Sequence, residues 1–138
     1  MTTVGQIIER QGRTLHSTTA GTTVTEALAE MARLEIDGVV VMDGPTLVGI
    51  FTSNDFLRKI VSAGLDAASL TVGDVMTRDV STVGITATSA QCVSMMSRGR
   101  FRHLPVLDGD RVVGIVTMLD IMAFSVDGAD HDVGDGVS

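Results

Sequence analysis

Apolar and polar residues along this chain switch between the period of a helix and that of a strand. Val4, Ile7 and Ile8 fall on one face of a helix over Val4–Arg10, because residues three and four apart stack on the same side. The Thr- and Ser-rich stretch after it carries a short strand around Leu15–Thr18. Thr23 or Thr25 can cap a helix to about Leu34, with Val24, Ala27, Leu28 and Met31 as its apolar stripe. After Gly38 the run Val39–Met42 is continuously apolar and rich in β-branched residues, as a buried strand is. Asp43-Gly44-Pro45 makes a turn and Leu47–Phe51 returns, so the two strands pair as an antiparallel hairpin. Ser53 or Asn54 caps a second helix from about Asp55 to Ala63, which Gly64 closes.

The succession then repeats. DGPTLVGIFTSNDF at Asp43–Phe56 returns as DGDRVVGIVTMLDI at Asp108–Ile121, 65 residues on. In the second copy Ile85–Ser89 leads into a helix to about Arg98. Leu104–Leu107 and Val112–Val116 are the hairpin strands, and a last helix runs from Leu119 to about Ser125. TVGDVMT inside Ala67–Asp79 echoes TVGQIIE at Thr3–Glu9, so the duplication extends to the lead-in of each copy. The expected organisation is a lead-in helix over 1–13, a first repeat over 14–66 and a linker over 67–78. A second repeat follows over 79–126, then an acidic, glycine-rich tail over 127–138 with too few apolar residues to fold.

Each copy is short for burying a core alone, and two copies side by side can share one. With 44% hydrophobic but only 3% aromatic residues, that core is built from Val, Ile, Leu, Met and Ala. Cys92, Met31, Met95 and Met96 fit as core fillers better than as a redox or sulfur-ligand set. A single cysteine excludes an intrachain disulfide and fits a reducing compartment, most simply the cytoplasm. No apolar run reaches the roughly 18 residues of a membrane span, and the N-terminus lacks the pattern of a secretion signal. A net charge of −7 argues against nucleic acid as a partner, which calls for a basic surface. Against that background Arg98, Arg100, Arg102, His103 and Arg111 form a local basic stretch. Asp127, Asp130, His131 and Asp132 match no calcium-loop spacing, and no metal site is expected.

What the copies share beyond a core is polar. In both, a strand ends at a Thr and an Asp follows three positions later at a helix start, Thr52 with Asp55 and Thr117 with Asp120. Two readings stay open. The pair can simply cap the helix. Alternatively the carboxylate can accept both hydrogen bonds of a sugar diol while the hydroxyl donates to a phosphate.

The segment FRHLPVLDGDRVVGIVTMLDI resembles a CBS domain, and IDGVVVMDGPTLVGIFTSNDF resembles it less fully. Two such repeats make a stand-alone CBS-domain pair, or Bateman module. The resemblance implies an α+β fold of two pseudo-symmetric βαββα repeats packed through their sheets into one unit. It further implies clefts that take an adenosyl ligand: AMP, ADP, ATP, NAD(H) or S-adenosylmethionine. By that resemblance Asp120 and Thr117 hold the ribose, and Arg102 and His103 face phosphate. Thr18, Thr19, Ala20, Asp37 and Gly38 line the adenine side. In the first copy Asp37 and Gly38 stand where the second has Arg102 and His103, so Thr52 and Asp55 mark a second, weaker site. A carboxylate opposes a phosphate unless Arg58 and Lys59 compensate. No nucleophile–base set or phosphate loop is visible, and the chain reads as a non-enzyme. It is expected to be a nucleotide-sensing regulatory module. The alternative is a ligand-independent dimerisation or protein-interaction module with vestigial clefts. A homodimer, and an unidentified protein partner, fit either.

Overall fold

The computed structural model describes residues 1–12 and 14–124; the acidic tail and its carboxylates lie outside the described residues. The fold is α+β and is made of two repeats, each with a three-stranded sheet. Helix α1 spans Val4–Arg10, β1 Ser17–Thr18, α2 Val24–Leu34, β2 Gly38–Asp43 and β3 Thr46–Thr52. Helix α3, Ser53–Phe56, continues over Leu57–Val61 with wider turns, in which Ser62 N–H reaches the Leu57 carbonyl. A single turn at Ala67–Ser69 precedes α4, Val72–Val75. In the second repeat β4 is Val83–Gly84, α5 Ser89–Gly99, β5 His103–Asp108 and β6 Arg111–Thr117. A last helix, α6, covers 118–124.

Each sheet has the same plan: a two-residue strand runs parallel to the central one, and the hairpin partner runs antiparallel to it. The register slips by one residue at Val41/Met42 and again at Val106/Leu107. The duplicated frame therefore encodes a duplicated bulge, which twists the hairpin at that point. Glycines 44 and 109 take the positive φ of the tight hairpin turns, 58° and 64°. Helices α2 and α5 both end on a left-handed residue that is not glycine, Glu35 and Arg100.

The chain divides into two compact units in an unexpected way. Among the described residues, one is Leu15–Ser81; the other is Met1–Thr14 together with the chain from Thr82 to Phe124. The lead-in before each repeat thus serves the other repeat. Val4 and Gly5 donate to the carbonyls of Ala87 and Ile85 at 2.7 and 2.9 Å. Val72 and Gly73 donate to those of Thr22 and Ala20 at 2.8 and 2.9 Å, the matching positions of the first repeat. Asp74 fixes the start of α4 by accepting from the Thr71 N–H, and that bond holds its carboxyl below the usual carboxylate range.

Each unit has an apolar cluster of its own. Val24, Ala27, Met31, Val39, Val41, Phe51 and Ile60 close over Val72, Val75 and Met76. In the other unit Val83, Cys92, Met96, Leu104, Val106, Val113, Val116 and Ile121 close over Val4, Ile7 and Ile8. A repeat too small to bury its sheet face alone gains three apolar side chains from the exchanged lead-in. Cys92 and Met96 are core residues, as their helical spacing indicates, and burial pushes the Cys92 thiol pKa up.

Candidate functional site

In the second-repeat unit the geometry starts from the β5–β6 ladder. His103 pairs with Thr117 across it, and Met118 N–H donates to the Arg102 carbonyl at 3.2 Å. The start of β5 and the end of β6 therefore meet, and Arg102, His103, Thr117 and Asp120 come together at one end of the sheet. Asp120 Oδ2 accepts the Thr117 N–H at 2.8 Å, and Thr117 Oγ1 accepts the Asp120 N–H at 3.1 Å. This is a reciprocal cap, so the Thr-x-x-Asp pair does fix the start of α6. The cap uses one carboxylate oxygen. Asp120 Oδ1 has no hydrogen-bond partner among the described residues, and the side chain is only half-buried. The Arg102 side chain is exposed. Of the basic stretch, Arg111 lies elsewhere: it pairs with Asp108 at the hairpin turn, the far end of β5.

In the first-repeat unit the equivalent pair is built differently. Thr52 donates its N–H to Asp55 Oδ2 at 3.0 Å and its hydroxyl to the same oxygen at 3.2 Å, while its Oγ1 accepts the Asp55 N–H. Oδ1 is taken as well, by the Thr77 hydroxyl at 2.9 Å and the Lys59 ammonium at 3.0 Å. Asp55 is 6% exposed. Four donors on two oxygens saturate a carboxylate. Lys59 thus answers Asp55; Arg58 is exposed.

The residues read as an adenine side lie on β1, just after it, and at the start of β2. Thr18 pairs with Val41, three residues along β2 from Gly38, which pairs with Thr52. The Asp37 carbonyl accepts from Ser53 N–H. The Thr19 hydroxyl bonds that of Thr22 at 2.9 Å, and the Ala20 carbonyl and side chain lie against Gly73. Thr18 alone of this set opens on a groove of about 440 Å³ beside β1, lined also by His16, Glu26, Glu30, Leu34 and Val39. The Arg33 guanidinium keeps Glu30 below the usual carboxylate range, with His16 adding to the effect. Carboxylate walls over an apolar floor suit an uncharged ring better than a phosphate. Thr77 was the site residue least visible in the sequence. Its signal was one of two polar differences between the lead-ins, Thr77 in TVGDVMT against Glu9 in TVGQIIE, the other being Asp74 against Gln6.

Among the described residues no helix is long and apolar enough to cross a membrane. The CBS-domain family model matches this chain twice, over residues 4–62 and 72–127. A CBS domain structure, NE2398, superposes with a TM-score of 0.85 at 31% identity, over 90% of this chain and 97% of that one. The crystal structure of CBSX2 in complex with AMP superposes with a TM-score of 0.74 at 28% identity, over 92% and 98% of the two chains. Among curated proteins, the mitochondrial CBS domain-containing protein CBSX3 of Arabidopsis thaliana is 28% identical over 130 residues. That alignment covers 88% of this chain and 63% of CBSX3, and the chain spans smaller shares of other curated relatives. With both repeats matched, each carrying the same sheet plan and the same capped Thr-x-x-Asp, the chain belongs to the CBS-domain family.

Proposed function

We propose that this chain is a non-catalytic regulatory module that binds an adenine nucleotide through the second repeat. Asp120 and Thr117 take the ribose, and Arg102 and His103 take the phosphate. The observation that carries this reading is the open carboxylate oxygen of Asp120 at the sheet end where Arg102 and His103 lead into β5, whereas the matching oxygen of Asp55 is already bonded. A half-buried acceptor at the sheet end that also carries an arginine and a histidine suits a diol that continues into a phosphate. The AMP complex of CBSX2, at 28% identity, supports the ligand class. Binding regulates only through a difference in affinity between two arrangements of the protein. The buried lone thiol of Cys92 fits the reducing cytoplasm.

The test is calorimetric titration of the full chain with AMP, ATP, NADH and S-adenosylmethionine. Saturable heat with at least one is expected, weakened by R102A more for ATP than for AMP. Absence of heat with all four removes the reading.

A second reading has its own observation. Leu119 and Met122 on α6 are 74% and 55% exposed, and Leu57 and Val61 on the matching helix are 56% and 54% exposed. Apolar side chains repeated at the same helix face favour self-association, that is, a homodimerisation module. Light scattering separates the two. A dimer whose mass and shape ignore nucleotide supports the interaction module; a nucleotide-dependent change supports the sensor.

A further inference from the structure

The bonds around Asp55 have no counterpart around Asp120, and the reason lies in the lead-ins. The position matching Lys59 in the second repeat is Phe124, and the lead-in position matching Thr77 is Glu9. A phenyl ring and a carboxylate donate nothing to Asp120. The backbone differs too. Helix α1 stays helical to Arg10, whose guanidinium lies 5.4 Å from the Phe124 ring centroid. Helix α4 stops at Val75, and the chain then extends so that Thr77 pairs with Ile50 in both directions, at 2.8 and 2.9 Å. That pairing brings the Thr77 hydroxyl to Asp55. Lys59 spends its remaining donors on the Val75 carbonyl at 2.9 Å and the Thr77 hydroxyl oxygen at 3.3 Å.

From this we infer that Lys59 and Thr77 turn the first Thr-x-x-Asp into an internal clasp, which fastens the linker to the first repeat and closes that copy to ligands. A ribose entering there would have to displace an ammonium and a hydroxyl from a buried carboxylate whose acceptor sites are full. Lys59 and Thr77 are therefore the residues that set the stoichiometry at one nucleotide per chain. The stoichiometric half of this inference rests on the nucleotide reading of the second repeat; the clasp itself does not.

Two measurements on the full chain decide it. In calorimetry with ATP, wild type is expected to bind one equivalent, and D55N to keep that stoichiometry with affinity within about two-fold. In amide hydrogen exchange without ligand, T77V and K59M are expected to speed exchange at Ile50 and Thr77 about ten-fold, the loss of roughly one charge-assisted hydrogen bond. Amides of α5, in the other unit, serve as the control against global unfolding and keep their rates. A second equivalent bound by wild type and lost in D55N overturns closure. Unchanged exchange at Ile50 and Thr77 in both variants overturns the clasp. If wild type binds no nucleotide, the functional reading falls and the exchange result alone judges the clasp.

Discussion

Asp120→Ala is expected to lower adenine-nucleotide affinity by about 30- to 150-fold. The carboxylate has one oxygen, Oδ1, without a partner, and its Oδ2 spends one lone pair on the Thr117 N–H. It can therefore accept one to two hydrogen bonds from a ribose diol. A hydrogen bond to a charged group contributes about 1.5–3 kcal/mol, so the loss is about 2–3 kcal/mol, which converts to that range. The alanine variant also removes the cap of α6, which costs about 1 kcal/mol of stability and would blur the result. Asp120→Asn separates the effects, since its amide oxygen still accepts from Thr117 while the negative charge is gone. It should melt close to wild type and still bind at least about ten-fold more weakly. Titration of both variants with ATP checks this. Wild-type affinity in the Asn variant would show that the carboxylate does not touch the ligand.

The contrast between Asp120 and Asp55 marks where sequence reading stops. Strands, hairpin turns and helix faces were legible because each is a local pattern: β-branched runs, Asp-Gly turns, a stripe at helical spacing. The duplicated Thr-x-x-Asp was legible as a pair of caps or a pair of ligand sites, and the structure shows that it caps in both copies. The saturation of Asp55 was not legible, because its decisive donor, Thr77, is 22 residues away and arrives by strand pairing. The exchange of lead-ins was hidden for a related reason. Periodicity reveals that Val4, Ile7 and Ile8 seek a core, but two similar sheet faces offer equivalent cores and the pattern does not choose between them. The basic stretch fails in the opposite sense. Arg111 is near Arg102 along the chain, yet the length of a strand separates them, because a hairpin lies between.

The middle glycine of the repeated Val-Gly-Ile frame gains its meaning from the same exchanged lead-ins, and it yields the largest expected effect on stability. Gly49→Ala should destabilise the chain by about 1–3 kcal/mol, and Gly114→Ala by less than about 1 kcal/mol, although the two sit at matching positions. A Cβ at Gly49 would lie 2.7 Å from Met76 Sδ and 2.9 Å from the Thr77 carbonyl oxygen. That carbonyl cannot yield cheaply: it accepts from Ile50 N–H, and the Thr77 side chain is held by Asp55 and Lys59. Relief means overpacking the buried Met76, or breaking the Ile50–Thr77 pairing, and each costs on the order of 1–3 kcal/mol. A Cβ at Gly114 would meet one atom closely, the Ile8 Cδ1 at 2.9 Å, with the next at 3.7 Å. The end of a flexible side chain can rotate away, so the same mutation meets a softer neighbour. Guanidinium denaturation followed by far-UV circular dichroism, fitted for each variant, measures the difference. Equal destabilisation by the two substitutions would mean that the extended, clasped segment at Thr77 is no stiffer than the helix that replaces it in the other unit.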